Sequence, residues 1–362
     1  MADIKKGATA SHEAGTPITN NFSDKDSESV FDMQPSLAEA YLNLTEFVTN
    51  PTESESELSG MLRIKKANEW AMEASLRPDP KPLWLSLWHE GEVCCLFADS
   101  NLGKSIYAVE IASEIALHQK VIYFDFELSD KQFQLRYSNE NGQLHSFPDN
   151  LLRSEIDPDM IGEGDFEDEI IANIEASSIH YGCKVLIVDN LTYLCSVAEK
   201  ADAASMLMMR LMQLKKKYCL SILILAHTPK RPLSSPITQN DLAGSKKLFN
   251  FFDSVFAIGR SAKDENLRYI KQIKCRAGSF EYGTDNVIVS EIVKENTWLH
   301  FRTIGYATEK EHLREQTEKD VSAFDEMVKQ MKADGKSIRE IADSLGVSKS
   351  KIGNIVKKLS LS

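Results

Sequence analysis

Residues 93–105 read VCCLFADSNLGKS, and this stretch decides the fold class of the chain. Its apolar first half predicts a buried strand, and Gly103-Lys104-Ser105 predicts the start of a helix. A loop between the two can aim backbone N–H groups at phosphate oxygens, with a lysine to balance their charge and a hydroxyl for Mg²⁺. The sequence therefore predicts a phosphate-binding loop. Its predicted phosphate contacts are Ala98, Asp99, Ser100, Asn101, Leu102, Gly103, Lys104 and Ser105.

This loop departs from the common pattern GxxxxGKS at one position. Ala98 stands where that pattern has its first glycine. Alanine adopts positive φ at a greater cost than glycine, so we expect the replacement to matter moderately. The alternative is an ordinary helix that happens to begin with Gly-Lys-Ser. The rest of the chain favours the phosphate-binding loop.

Residues 185–189, VLIVD, form a second informative run, an apolar strand that ends in a carboxylate. A carboxylate at such a strand end can hold the water shell of Mg²⁺ beside bound phosphates. We therefore expect Asp189 to complete the phosphate site and to share the metal with Ser105. The alternative is an aspartate that only caps the end of its strand. The order of loop, helix, strand and acidic strand end favours the metal site.

Residues 121–127, VIYFDFE, lie between these two motifs and also end in acidic residues. Glu127 is placed where a general base could polarise a water in line with a γ-phosphate. Asp125 competes for this role. The alternative for Glu127 is a simple surface glutamate.

Apolar strand-like runs alternate with helical patterns from residue 92 onward. Their hydrophobicity is continuous, which predicts strands covered on both faces and hence a mainly parallel α/β sheet. The later runs 254–258, 269–275 and 287–293 would extend the sheet, with antiparallel edge strands as one arrangement. The predicted strands are 93–97, 121–126, 185–188 and 221–226, and the predicted helices are 105–118, 165–181 and 203–217.

A basic segment follows the strand that ends at His227. It contains Lys230 and Arg231 between prolines, and Lys246 and Lys247 come after Gly244-Ser245. Cations in such a loop can track the backbone of a single strand of nucleic acid. An ordinary solvated loop is an equal alternative, and His227 itself can be a structural histidine at a strand end.

The loop strand, the Glu127 strand and the Asp189 strand, in that order, resemble the RecA/DnaB branch of P-loop ATPases. The resemblance covers about residues 84–305 and is closest to stand-alone RepA-like replicative helicases. It implies a RecA-like core that binds ATP and Mg²⁺, with Lys104 and Glu127 as catalytic residues. It also implies that His227 senses the γ-phosphate and connects it to a nucleic-acid-binding loop.

The resemblance extends to residues 273–278, IKCRAG, because DnaB-type helicases carry a similar lysine-x-arginine near the subunit boundary. It implies that Lys274 and Arg276 reach the γ-phosphate held by a neighbouring subunit. It also implies a homo-oligomeric ring, often a hexamer, with single-stranded DNA in its channel. The alternative is two cations on the exposed face of an edge strand.

The C-terminal residues predict a helix-turn-helix. Ser337 and Glu340 form a capping-box pattern at the start of one helix, with Ile338 and Ile341 packing inward. Ser348 caps a second helix through residue 359, after a turn at residues 345–347. The predicted DNA contacts are Lys349, Ser350, Lys351 and Asn354. Binding of duplex DNA is one interpretation, and a protein-docking module is the other.

Composition limits the remaining choices. The net charge of -12 argues against a generally basic nucleic-acid coat, although a local basic patch can still bind phosphates. Six cysteines without a CxxC pair predict free thiols in a reducing cytoplasm. The start of the sequence lacks an apolar signal segment, and no run approaches the length of a membrane span. We expect neither secretion nor a membrane partner.

These patterns predict four regions. They are a disordered acidic arm (1–60), a RecA-like ATPase domain (61–308), a helical linker (309–334) and a helix-turn-helix (335–362). The function expected first is a Mg²⁺-dependent ATPase that moves on or unwinds DNA, in replication, mobilisation or repair of a plasmid or mobile element. The alternative is an ATP-switched DNA-binding regulator or recombination accessory factor without unwinding activity.

Overall fold

The computed structural model describes residues 62–160, 166–190, 203–228, 231–242, 246–315, 318–345 and 347–359. The predicted acidic arm, Lys230 and the side chains of Lys246 and Lys247 lie outside this description. The chain divides into two units between Arg77 and Pro78. The described part of the first unit contains one helix, α1 (Ala67–Ser75).

The second unit is built on a nine-stranded sheet, preceded by a small ribbon of β1 (Pro82–Trp84) and β2 (Trp88–His89). The strand order is β11-β10-β9-β8-β3-β7-β6-β4-β5. The six strands from β8 to β5 are parallel, and β9, β10 and β11 add an antiparallel edge. The strands are β3 (Val93–Ala98), β4 (Val121–Asp125), β5 (Leu151–Ser154), β6 (Val185–Asp189), β7 (Ser221–His227), β8 (Ser254–Arg260), β9 (Leu267–Lys274), β10 (Val287–Glu295) and β11 (Trp298–Ala307).

Helices cover both faces of this sheet. Along β3, Cys95 and Phe97 pack into one core and Cys94 and Leu96 into the other, so every residue of the strand is buried. The predicted α/β fold with an antiparallel edge is confirmed. The helices are α2 (Lys104–Ala116), α3 (Asp130–Arg136), α4 (Phe166–Tyr181), α5 (Ala203–Tyr218), α6 (Lys246–Phe251), α7 (Glu318–Ala333), α8 (Ile338–Leu345) and α9 (Lys349–Leu359). Within the described ranges, none of the helices combines the length and the apolar character that a bilayer span requires.

Register places the polar strand ends side by side. His227 pairs with Ala98 across β7 and β3, and Asp189 pairs with Asp125 across β6 and β4. Because these strands are parallel, their carboxyl ends meet at one edge of the sheet, where α/β folds bind ligands. The topology therefore brings together residues that are more than 120 positions apart in sequence, such as Ala98 and His227.

The three C-terminal helices share a small core around Val328, Ile341 and Ile352. Val328 comes from α7, a helix that lies within the predicted linker, so the helix pair packs against a third helix. The predicted capping box is present, since Ser337 N donates to Glu340 Oε2 and Glu340 N donates to Ser337 Oγ. The prediction that Ile338 packs inside is wrong, because in the first turn of α8 its side chain is 37% exposed.

A buried ion pair fixes the segment that follows β7. Lys271 Nζ on β9 lies 2.6 Å from Glu309 Oε2, and Glu309 is fully buried. Glu309 Oε1 accepts a hydrogen bond from Ile237 N at 2.7 Å, and Lys271 donates to the Ile237 carbonyl at 2.8 Å. Three distant parts of the chain therefore meet at one charge pair.

The substitution Glu309→Gln tests the contribution of the Lys271–Glu309 ion pair to stability. Glutamine leaves the Lys271 ammonium buried without its counter-charge, so we expect the free energy of unfolding to fall by about 3–5 kcal/mol. Denaturant unfolding of the full chain measures the change. Glu311→Gln is the matched control, because it removes an exposed pair with Lys263 that water can replace. Equal stabilities of the two variants would contradict the account.

Candidate active site

The loop between β3 and α2 depends on Gly103. This residue is the N-cap of α2 and has φ of 89°, in the left-handed region that favours glycine. A Cβ atom at this position would lie 2.8 Å from Ile292 Cδ1 and 3.0 Å from Phe301 Cε2. Glycine is therefore required both by the backbone and by the β10–β11 hairpin that packs against the loop.

Ala98 does not need the backbone freedom of a glycine. It is the buried last residue of β3, and the positive φ in this loop falls on Asn101 and Gly103 instead. Ala98 therefore causes no backbone strain in this loop, and the expected moderate effect on nucleotide binding stays a prediction. The loop bends after Ala98, so alanine fits at the end of the strand.

Lys104 lies at the centre of the site and is only 6% exposed. Its Nζ atom donates to the Ala98 carbonyl at 3.2 Å and lies 3.2 Å from His227 Nδ1. Burial lowers the pKa of Lys104, while the carboxylates of Asp189 and Glu127 oppose this shift. The ammonium group is thus held where several acidic strand ends converge.

Asp189 supplies a buried carboxylate at the end of β6. Its Oδ2 accepts a hydrogen bond from the Tyr123 hydroxyl at 2.7 Å, and Oδ1 has no hydrogen-bond partner among the described residues. Burial raises the pKa of Asp189 to about 6, with the hydroxyls of Ser105 and Tyr123 opposing the shift. An orphaned carboxylate oxygen beside the Ser105 hydroxyl fits a hydrated Mg²⁺, which takes oxygen ligands.

Asp125 and Glu127 have different surroundings. Asp125 Oδ1 accepts from the backbone N–H groups of Glu127 and Leu128, and its Oδ2 pairs with Arg153 at 2.9 Å. These contacts satisfy a buried carboxylate and give it a structural role. Glu127 is 37% exposed at its side chain and extends toward His227. The geometry therefore favours Glu127 over Asp125 as the candidate base.

His227 connects the two halves of the site. Its Nδ1 faces the Lys104 ammonium, which can only donate, so Nδ1 accepts and the ring proton resides on Nε2. Nε2 lies 3.3 Å from Glu127 Oε1 and can donate to it. One ring thus contacts both the lysine of the phosphate-binding loop and the candidate base. A γ-phosphate-sensing role remains a prediction, and this placement supports it.

Two residues of this region were not predicted from the sequence. Arg153 on β5 neutralises Asp125 and stacks 4.6 Å above the Phe133 ring, but β5 is too short and polar to be recognised. Asn190 donates from its side-chain amide to Glu127 Oε1. The available signal was its position directly after Asp189, at the end of the same apolar strand.

Lys274 and Arg276 lie away from this cluster. Lys274 pairs in register with Val255, near the beginning of β8 and at the opposite edge of the sheet. Its Nζ donates to the carbonyls of Phe249 and Phe252. Arg276 is half exposed and lies 3.2 Å from Asp253. Within one chain these two cations therefore do not join the candidate site.

The predicted DNA contacts fall into two groups. The partly buried Arg231 makes hydrogen bonds within the chain, since it donates to the Ser235 carbonyl and to the Tyr269 hydroxyl. The predicted contacts of α9 are exposed, and one of them, Lys351, lies 4.8 Å from the Phe324 ring. The exposed set is Lys349, Ser350, Lys351 and Asn354.

The fold and this edge of the sheet have the arrangement expected of a P-loop nucleoside triphosphatase core. Residues 62–232, a little under half of the chain, match the family model of an AAA domain. The matched range contains the phosphate-binding loop, Glu127, Asp189 and His227. It ends before Lys274, Arg276 and the C-terminal helices. The match therefore supports a P-loop ATPase, and the helicase role stays a proposal.

Substitutions at the two ends of the loop test whether nucleotide binding depends on the backbone conformation of each residue or on agreement with the common sequence pattern. Ala98→Gly restores the common pattern, and we expect it to leave the affinity for a fluorescent ATP analogue unchanged within about twofold, because Ala98 has no left-handed backbone to relieve. Gly103→Ala should lower that affinity by at least about tenfold, because it strains φ and collides with Ile292. Tighter binding by Ala98→Gly would contradict this account.

The buried carboxyl of Asp189 predicts a pH dependence. It must be ionised to hold Mg²⁺, and its pKa is raised to about 6, so the protonated form dominates at lower pH. We expect the Mg²⁺-dependent part of the affinity for an ATP analogue to fall between about pH 7.5 and about pH 5.5. Asp189→Asn should bind weakly without this dependence. A wild-type affinity that stays constant with Mg²⁺ across this range would contradict the assignment.

Proposed function

We propose that this chain is a Mg²⁺-dependent ATPase that acts on DNA as a helicase or translocase of the RepA-like kind. One observation carries the proposal: His227 contacts Lys104 through Nδ1 and Glu127 through Nε2. A lysine for phosphates and a candidate base for water are parts that triphosphate hydrolysis uses, and His227 connects the two.

Each group at this edge then has a role. Lys104 and the loop N–H groups bind the β- and γ-phosphates, and Ser105 and Asp189 hold Mg²⁺, which would neutralise phosphate charge when bound. Glu127 accepts a proton from the attacking water. His227 orients Glu127 and responds to the γ-phosphate through Lys104. At this edge the side chains of Glu127 and His227 are partly exposed, whereas those of Lys104 and Asp189 are buried.

A homo-oligomeric ring would complete this site. Lys274 and Arg276 lie at the far edge of the sheet from Lys104, so they do not reach the site of their own chain, and a role at a nucleotide would have to be in another copy. An arginine supplied by a neighbour makes hydrolysis depend on assembly. We propose that Arg276 leaves Asp253 to fill this role, and that a hexamer places DNA in its channel.

The alternative function is an ATP-switched DNA-binding regulator, which one set of contacts favours. The segment after His227 is bonded to the region that carries the C-terminal helices. Arg314 N donates to the Leu233 carbonyl at 3.1 Å, and Asn240 Nδ2 donates to the Asp343 carbonyl of α8 at 2.9 Å. A movement at His227 could therefore reach α8 and α9, whose exposed cations would bind duplex DNA.

Steady-state ATP hydrolysis by the full chain, with and without single-stranded or duplex DNA, tests the proposal. We expect strong stimulation by single strands and loss of hydrolysis in Lys104→Ala. Arg276→Ala mixed with wild type should suppress the activity of the mixture beyond simple dilution, because neighbouring copies share sites. Arg302→Ala is the matched control, since this exposed arginine on β11 pairs with Glu291 and Glu295.

The outcomes separate the two functions. Stimulation by single strands with suppression by Arg276→Ala supports the motor with shared sites. Retention on duplex DNA only with ATP, and no stimulation by single strands, supports the regulator. In that case Lys349→Glu with Lys351→Glu should abolish retention, whereas Lys329→Glu with Lys332→Glu on α7 should not. Hydrolysis that survives Lys104→Ala would contradict both functions.

A further inference from the structure

Asn190 is a buried amide placed directly against the candidate base. It follows the last residue of β6 and is 2% exposed. Its Nδ2 donates to Glu127 Oε1 and lies 3.2 Å from His227 Nε2. It is thus the most buried of the three polar side chains that meet at this point of the site.

Donor and acceptor chemistry decides which of these contacts is a hydrogen bond. His227 Nε2 carries the ring proton because Nδ1 faces the Lys104 ammonium. The Asn190 amide nitrogen therefore cannot bond to Nε2, since both would donate. Rotating the amide would turn its oxygen toward the Glu127 carboxylate, which also only accepts. The bond from Asn190 Nδ2 to Glu127 Oε1 is the arrangement that satisfies all three groups.

Backbone pairing between β4 and β6 fixes the positions of Glu127 and Asn190 relative to each other. Asp125 and Asp189 are paired in register, and Phe126 N donates to the Asp189 carbonyl at 2.7 Å. The ladder between β4 and β6 thus continues past the strand ends, up to the residues before Glu127 and Asn190. Glu127 is partly exposed and has rotamer freedom to lose, whereas Asn190 is enclosed. The enclosed Asn190 can therefore hold the carboxylate of Glu127 in one orientation.

We infer that Asn190 is a positioning residue that holds the Glu127 carboxylate in line for the attacking water. This inference rests on the proposed ATPase function. Asn190 and His227 both donate to Oε1, which leaves Oε2 to accept the proton of the water. The water oxygen then bonds to the γ-phosphorus as the bond to the ADP oxygen breaks. Asn190 acts through Glu127 and need not touch the nucleotide.

Steady-state kinetics and nucleotide titration of four full-length proteins test this role. In Asn190→Ala and in the isosteric Asn190→Asp, we expect kcat to fall about 10–100-fold, by analogy with the loss of partners that orient metal ligands. The KM for ATP and the affinity for a fluorescent ATP analogue should change less than about twofold, because the phosphate contacts remain. Asn173→Ala is the matched control, since its amide caps only the exposed Glu169 carbonyl on α4.

A double-mutant cycle gives the decisive readout. If Asn190 acts only through Glu127, then Asn190→Ala should cause no further loss of kcat in a Glu127→Gln background. If Asn190 had a purely structural role, Asn190→Ala would instead lower the affinity for the ATP analogue. It would also reduce kcat by the same factor in the wild type and in Glu127→Gln. The inference would be overturned if the losses of kcat in the two single variants multiplied in the double variant. It would also be overturned by a wild-type kcat in both Asn190→Ala and Asn190→Asp.

The results that would overturn the proposed ATPase function differ from those that would overturn only the role of Asn190. Absence of ATP hydrolysis in the wild type, or an unchanged kcat in Glu127→Gln, would overturn both the proposed function and the inference. An inactive Glu127→Gln together with fully active Asn190 variants would overturn the inference alone. Tight binding of the ATP analogue by every variant shows in each case that the site has folded.

Discussion

The parallel pairing of β3, β4, β6 and β7 is the constraint on which the rest of the structure depends. Parallel strands share the direction of their carboxyl ends, so residues that follow them in the chain meet at one edge of the sheet. Here that edge carries Lys104, Glu127, Asp189 and His227. Both faces of these strands are buried, so the packing of side chains into the two cores sets their register, and no contrast between an apolar and a polar face is needed.

Electrostatics at this edge is arranged around a single buried cation. Lys104 lies among the carboxylates of Asp189 and Glu127, and the direction of its pKa shift shows that burial outweighs their attraction. Asp125, although close, is neutralised by Arg153 on the neighbouring strand. The site therefore contains carboxylates with different surroundings, one paired, one buried with an orphaned oxygen and one partly exposed. Different surroundings allow three like residues to perform different tasks.

The sequence predicted the sheet because its strands are continuous apolar runs separated by helical patterns, and the structure confirms that class. It did not predict β5 or β11, whose residues alternate or are too few, because edge strands need only one apolar face. The site residues with motif positions, such as Lys104 and Asp189, could be named in advance. Arg153 could not, because its importance arises from a cross-strand contact that no local pattern records, and Asn190 was marked only by its position directly after Asp189.

Hydrogen exchange with a non-hydrolysable ATP analogue and Mg²⁺ tests the central claim most directly. If this edge of the sheet holds the nucleotide, protection should appear at residues 98–105, 126–128 and 227–228 and should vanish in Lys104→Ala. The exposed face of α9 should exchange as it does without nucleotide or change only slightly. Protection confined to other parts of the chain, or retained in Lys104→Ala, would contradict the account.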